Sequence, residues 1–391
     1  MRDFLSEKAK NIKPSGIRKF FDIVSERKDV ISLGVGEPDF VTPWEIRDAG
    51  IRAIKMGHTQ YTSNNGLIEL RKEISNYLKK RMNVDFSYEN IVITVGASEA
   101  IDITLRSIIN EGDEILIPDP SYVSYCPCVE LAGGKAVPVK TDGKDGFKLT
   151  PENLEKAITP KSKALIFPYP NNPTGGIMEK EFIEKIIPII IKHDLLVISD
   201  EIYAELTYGK EHCSIASFKE LKDRVVLISG FSKSFAMTGW RVGYVCAPQN
   251  IKSTLIKIHQ YGTICAPIFS QYGAVQGLRK GMEDNFSSVN EMKEEYDKRR
   301  KFMYRSFVDM GLECFEPKGA FYIFPSIKST GYDGQEFATK LLDQKKVAVV
   351  PGDAFGEFGK YYIRCSYAYS MQNLIKAMDK ISEFVNTLKN K

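Results

Sequence analysis

The chain has 391 residues, 43% apolar and 27% charged, with a formal net charge of +4. Such proportions describe a globular protein of about two domains and exclude a disordered chain. The longest apolar run is six residues, 186–191, between Lys185 and Lys192, far short of the roughly 20 needed to cross a membrane. The weak, dispersed positive charge lacks the concentrated basic face that nucleic-acid binding requires.

The first eight residues have neither an apolar core nor a small-residue cleavage site, so no secretory signal and a cytoplasmic location are expected. From about Glu89 to Val245, short apolar runs alternate with longer amphipathic ones, which predicts a mainly parallel sheet covered by helices. Residues 91–95 read as a strand followed by a helix over 97–109, and 114–117 as a second strand. Residues 164–167 precede a Pro-rich loop, and 179–193 form a helix that Pro188 should kink. The near-continuous apolar runs at 195–199 and 224–229 suit buried parallel strands. Beyond about Ser270 the pattern changes to α+β. A long charged helix over 291–310 precedes the segment 319–324 and a helix around 337–343. Strands at 347–350 and 361–364 and a last helix from Gln372 complete the chain.

His58, His193, His212 and His259 fall in no catalytic spacing. The seven cysteines form no CxxC pair, and Cys126 and Cys128 are too close for an unstrained bridge. They read as buried thiols, and no metal site is expected.

The residues with chemical potential follow the strands. After Phe167 comes Asn171-Asn172-Pro173-Thr174-Gly175, and after Ser199 comes Asp200-Glu201-Ile202-Tyr203. Gly230 to Arg241 follows Ser229 and reads Gly-Phe-Ser-Lys-Ser-Phe-Ala-Met-Thr-Gly-Trp-Arg. Ligands of open parallel sheets bind outside the carboxyl ends of the strands, so these groups should converge. The turn at Gly96-Ala97-Ser98 adds the free amides of a helix start, an anion site. Taken singly, Asp200 could cap a helix, Asn172-Pro173 could be a turn and Lys233 a surface lysine. Together, a lysine in a Ser/Gly-rich loop, Arg241 and an aspartate at a buried strand's end are what pyridoxal phosphate requires.

These motifs resemble the class I aminotransferases of pyridoxal-phosphate fold type I, the aspartate and aromatic aminotransferase family. The resemblance runs from Ser32-Leu33-Gly34-Val35-Gly36 through Tyr61-Thr62-Ser63-Asn64-Asn65-Gly66 to Pro351-Gly352-Asp353-Ala354-Phe355-Gly356 and Arg364. It implies an α/β fold with a large cofactor domain over 46–284. A small α+β domain would combine 1–45, including an N-terminal arm, with 285–391. It implies that Lys233 forms the Schiff base with the cofactor and moves the α-proton, and that Asp200 faces the pyridine nitrogen. Asn172 and Tyr203 would reach the phenolic oxygen, and Tyr122 would stack on the ring. Arg241 with Ala97 and Ser98 would take the phosphate. Some relatives place a hydroxyl at Gly230, a contact that Ser232 could supply. Arg364, with Asn172 and Gly36, would grip the substrate carboxylate. Tyr61 would come from the partner of a homodimer.

The resemblance further implies an amino acid and a 2-oxo acid as substrates, with glutamate and 2-oxoglutarate as one pair. Aspartate-selective relatives supply a lysine where this chain has Ser98, and Glu99 should repel a second carboxylate. The apolar segment 14–21 resembles that of archaeal aromatic aminotransferases, so aromatic amino acids are favoured and aspartate comes next, with Arg18 a possible swinging cation. The same scaffold could run a β-lyase. A non-enzymatic regulator would need a DNA-binding domain for which 31 leading residues leave no room, and no GxGxxG supports a dehydrogenase.

Overall fold

A computed structural model describes residues 2–12, 14 and 29–389. Strand β1 (Ile31–Ser32) precedes a seven-stranded sheet made of β2 (Ile91–Thr94), β3 (Glu114–Asp119), β4 (Lys135–Lys140), β5 (Ser162–Phe167), β6 (Leu196–Asp200), β7 (Val225–Gly230) and β8 (Gly243–Cys246). Their order across the sheet is β2-β8-β7-β6-β5-β3-β4, and only β8 runs against the rest. The expected mainly parallel α/β sheet is therefore present.

Strand residues alternate between two buried faces, as the period of two demands. Ile115, Ile166, Ile198 and Ile228 pack with the helices Gly96–Ile108 and Gln249–Gly262. On the other face, Leu165, Val197 and Val225 meet Ile183, Ile186 and Ile190 of the helix Lys180–Lys192, which contains Pro188. Ile91, Ile93 and Leu227 on that face pack with the helices Ile68–Arg81 and Ile268–Asp284.

Two strands of this sheet had no counterpart in the sequence pattern. β4 lies at the edge, half exposed and interrupted by Pro138, so it lacks an apolar run. β8 falls immediately after the lysine loop and is only four residues long.

The remaining strands are β9 (Tyr322–Ile323), β10 (Val347–Ala348), β11 (Val350–Pro351) and β12 (Ile363–Ser366). They pack with the helices Ser287–Asp309, Gly334–Lys345 and Met371–Lys389 around Phe321, Phe337 and Phe384. The run 347–350 is two strands rather than one. β10 pairs with β1, while β11 pairs with β12, so the chain changes sheets at the buried Val349. The short helix Glu7–Asn11 lies against the helix Tyr125–Ala132 of the same chain.

Among the described residues, no helix is long and apolar enough to cross a membrane, and no cluster of His, Cys, Asp or Glu is placed to hold a metal ion. The reading of the cysteines as buried is corrected. All are free thiols, but only Cys246 and Cys365 are buried, and Cys126 is exposed, because Cys126 sits on the outer face of a helix rather than in the sheet.

Candidate active site

The neighbouring strands β5, β6 and β7 end near Asn172, Asp200 and Lys233, and Arg364, bonded to Asn172, lies with Asp200 close enough to act on the Lys233 charge. Lys233 is half-buried, and its amine donates to the Gly36 carbonyl at 2.5 Å. Its nearest rings are those of Phe321 and Tyr203, with centroids 5.7 and 5.9 Å from Nζ. Burial lowers its pKa to about 8; Arg364 and Arg241 act the same way, while Glu37 and Asp200 oppose them. A lysine that gives up its proton near neutrality is suited to nucleophilic and proton-transfer work.

Asp200 is buried, and burial raises its carboxyl to about pH 6. The Tyr125 hydroxyl donates to one carboxylate oxygen at 2.8 Å and the Ile202 amide to the other at 3.2 Å. Tyr125 also meets the half-buried Tyr122 edge to face, with centroids 5.5 Å apart. Sequence reasoning missed Tyr125. Its only signal was a place one helical turn beyond Tyr122.

Arg364, on β12, is 2% exposed. It donates to Asn172 Oδ1 at 3.0 Å and to the Gly34 carbonyl, and its guanidinium lies between the rings of Tyr322 (4.5 Å) and Phe355 (4.8 Å). Its buried Nε has no partner. A buried guanidinium donor left unpaired is costly, which marks it as waiting for an acceptor. Tyr203 and Tyr322 share a hydrogen bond of 2.9 Å between hydroxyls, and the Tyr322 hydroxyl would be 2.6 Å from any Cβ placed on Gly36. Tyr322, Phe355 and Gly34 all lie in motifs visible in the sequence, but only packing shows that they surround Arg364.

Arg241 adopts a left-handed backbone, φ 52°, and reaches the turn before the helix Gly96–Ile108. It donates to the Thr238 carbonyl at 2.9 Å and the Val95 carbonyl at 3.5 Å. A Cβ on Gly96 would lie 2.7 Å from its guanidinium, and one on Gly243 would lie 2.7 Å from the Ala97 nitrogen. The strand, the turn and the arginine thus pack closely only because both positions are glycine. Ala97 is half-buried and Ser98 exposed. At Gly230 a Cβ would sit 3.0 Å from the Gly243 Cα, so the lack of a side chain there suits the pairing of β7 with β8. Ser232 is buried beside it.

Glu99 does not behave as expected. Its carboxylate turns back to accept from the Val95 amide at 2.5 Å and lies 2.8 Å from His259 Nδ1. Both of its oxygens are therefore taken up by donors within the chain. The capping requirement of the helix start decides its direction. Tyr61 stands apart from the cluster, 79% exposed. The segment 14–21 lies outside the described residues except for Pro14.

The family described as "Aminotransferase class I and II" matches residues 28–381. An aspartate aminotransferase of Pyrococcus abyssi is 45% identical, the match covering 98% of this chain and 99% of that protein. Aromatic-amino-acid aminotransferase 2 of Thermococcus litoralis is 41% identical, with coverage of 98% and 99%. The solved aromatic aminotransferase of Pyrococcus horikoshii OT3 superposes with a TM-score of 0.90 at 42% identity, covering 95% of this chain and 99% of that one.

Proposed function

From the premise that the chain belongs to the class I and II aminotransferases and is a transaminase, we propose that it uses pyridoxal 5'-phosphate to exchange an amino group between an aromatic L-amino acid and 2-oxoglutarate. The observation that carries the cofactor is the convergence of Lys233, Asp200 and Arg241 at strand ends. The residues fit that group. The Lys233 amine forms its hydrogen bond to a carbonyl rather than a carboxylate. Asp200 is a buried acid held by two donors, and the glycines at 96 and 243 bring Arg241 against the start of the helix Gly96–Ile108, where free amides suit an anion.

When bound, pyridoxal phosphate supplies an aldehyde carbon that takes the amino group and a ring that accepts the electrons released at Cα. Lys233 Nζ would hold the cofactor and, once the substrate amine has displaced it, would be the free base that moves the proton at the substrate Cα. Asp200 would keep the ring nitrogen protonated. Asn172 Nδ2 is not the atom that meets Arg364, and with Tyr203 it would hold the phenolic oxygen. Tyr122 would stack on the ring, and Arg241 with the amides of Ala97 and Ser98 would hold the phosphate.

Arg364, helped by Asn172 and the backbone at Gly36, orients the substrate carboxylate through its paired N–H groups. An aspartate side chain would need its own cation. We assign 46–284 to a large domain and 1–45 with 285–391 to a small one, whose closure would exclude water. Tyr61 is 79% exposed, an aromatic side chain left at the surface where a second copy of the chain could cover it. That homodimer would complete each cleft with the other copy's Tyr61.

The test is kcat/KM for tyrosine, phenylalanine and aspartate at fixed 2-oxoglutarate, with pyruvate release from a β-substituted amino acid measured in parallel. A tenfold preference for aspartate would replace the aromatic reading. Pyruvate release without amino transfer would replace the transaminase reading by a β-lyase.

A further inference from the structure

The carboxylate of Glu99 lies in the first turn of the very helix whose amides are proposed to hold the cofactor phosphate, and this inference rests on that reading. A free carboxylate there would compete for the same amides and for Arg241, since both anions seek the positive end of the helix. Three groups keep it elsewhere. The Val95 amide and His259 Nδ1 bond to its two oxygens, at 2.5 and 2.8 Å, and the Thr263 hydroxyl bonds to it as well.

His259 is 0% exposed, and its Nε2 has no partner. A buried N–H without an acceptor costs more than a bare ring nitrogen, so the proton sits on Nδ1 and is donated to Glu99. Glu99 accepts these bonds as an anion. Burial would raise the Glu99 carboxyl, but the bonds from His259, Thr263 and Val95 outweigh it and hold the group below its ordinary range. His259 belongs to the helix Gln249–Gly262, which packs along the helix Gly96–Ile108. It meets the turn through Glu99, whereas Arg241 meets it through the Val95 carbonyl.

We propose that His259 is a positioning residue for cofactor binding, tethering the Glu99 carboxylate so that Arg241 and the Ala97 and Ser98 amides stay open to the phosphate. Without the tether, Glu99 swings toward the exposed Ser98 side and enters the phosphate's place. The effect acts on the phosphate and leaves the pyridine ring's contacts alone.

The experiment titrates apoprotein with pyridoxal 5'-phosphate and separately with pyridoxal, following cofactor absorbance and tryptophan fluorescence. His259→Leu should weaken pyridoxal phosphate at least tenfold and pyridoxal less than twofold. Adding Glu99→Gln to His259→Leu should restore pyridoxal phosphate to within threefold of wild type, which lost packing alone would not do. His259→Asn keeps a donor near the Nδ1 position and should bind within threefold of wild type. Equal weakening of both ligands, no weakening in His259→Leu, no rescue by Glu99→Gln, or a tenfold loss in His259→Asn each overturns the tether. A wild-type protein that binds pyridoxal as tightly as its phosphate instead overturns the phosphate site itself.

Discussion

The hydroxyl of Tyr125 donates to the carboxylate of Asp200 at 2.8 Å, and both side chains are buried. The bond favours the ionised carboxylate and opposes the burial that raises it to about pH 6. Tyr125→Phe should therefore move the Asp200 pKa upward, toward neutrality. The acid limb of the kcat/KM–pH profile should shift to higher pH, with about a twofold lower rate at pH 7. An unshifted acid limb would show that the bond does not tune Asp200.

Asp200 also makes a stability prediction. A carboxyl raised from 3.8 to about 6 is penalised when ionised, by about 3 kcal/mol for roughly two units. The penalty is absent below about pH 4, develops between pH 4 and 6, and is complete above. Apoprotein carrying Asp200→Asn should thus melt with wild type at pH 4 and several degrees above it at pH 7. The same variant should lose about a thousandfold in single-turnover rate, about 4 kcal/mol of transition-state stabilisation. Melting curves that stay parallel across that pH range would contradict the assignment.

Lys233, lowered to about 8 by burial, should be a free amine well below the pH at which ordinary lysines deprotonate. The rate at which apoprotein captures pyridoxal phosphate should rise through about pH 8 and level off above it. Borohydride reduction with peptide mapping should place the pyridoxyl group on Lys233, and Lys233→Ala should fold yet be inactive. A label on another lysine would falsify the role.

Arg364→Lys keeps the charge but loses the planar fork held between Tyr322 and Phe355 and bonded to Asn172 and Gly34. The expected loss is about a hundredfold in kcat/KM, equivalent to about 2.7 kcal/mol. Most of it should appear in KM if the guanidinium grips the substrate before the chemistry, as its proposed role requires. A fall confined to kcat would reassign Arg364 to the chemical step.

The central strands and the loops after β5, β6 and β7 were legible because buried parallel strands read as apolar runs and ligand-binding loops follow them. Residues recruited across the fold were not. Tyr125 reaches Asp200 from 75 positions away, and His259 reaches Glu99 from 160. No local period encodes such meetings. Glu99 shows the other limit: its charge was plain in the sequence, but its direction depended on the orphan amide of Val95. The break at Val349 was hidden for a related reason, since an unbroken apolar run does not say which sheet each residue joins.

Gly230 and Gly243 face each other as paired residues at the adjoining ends of β7 and β8, and the segment between them holds both Lys233 and Arg241. The two glycines act as a clasp on a closed loop, so its contour length is shared by both groups. An insertion or deletion within 231–242 would shift Lys233 and Arg241 together and could not be absorbed by sliding either strand without breaking the ladder. This stretch therefore behaves as a fixed-gauge cassette. Its side chains can be exchanged in place, but its length cannot drift as that of a surface loop does.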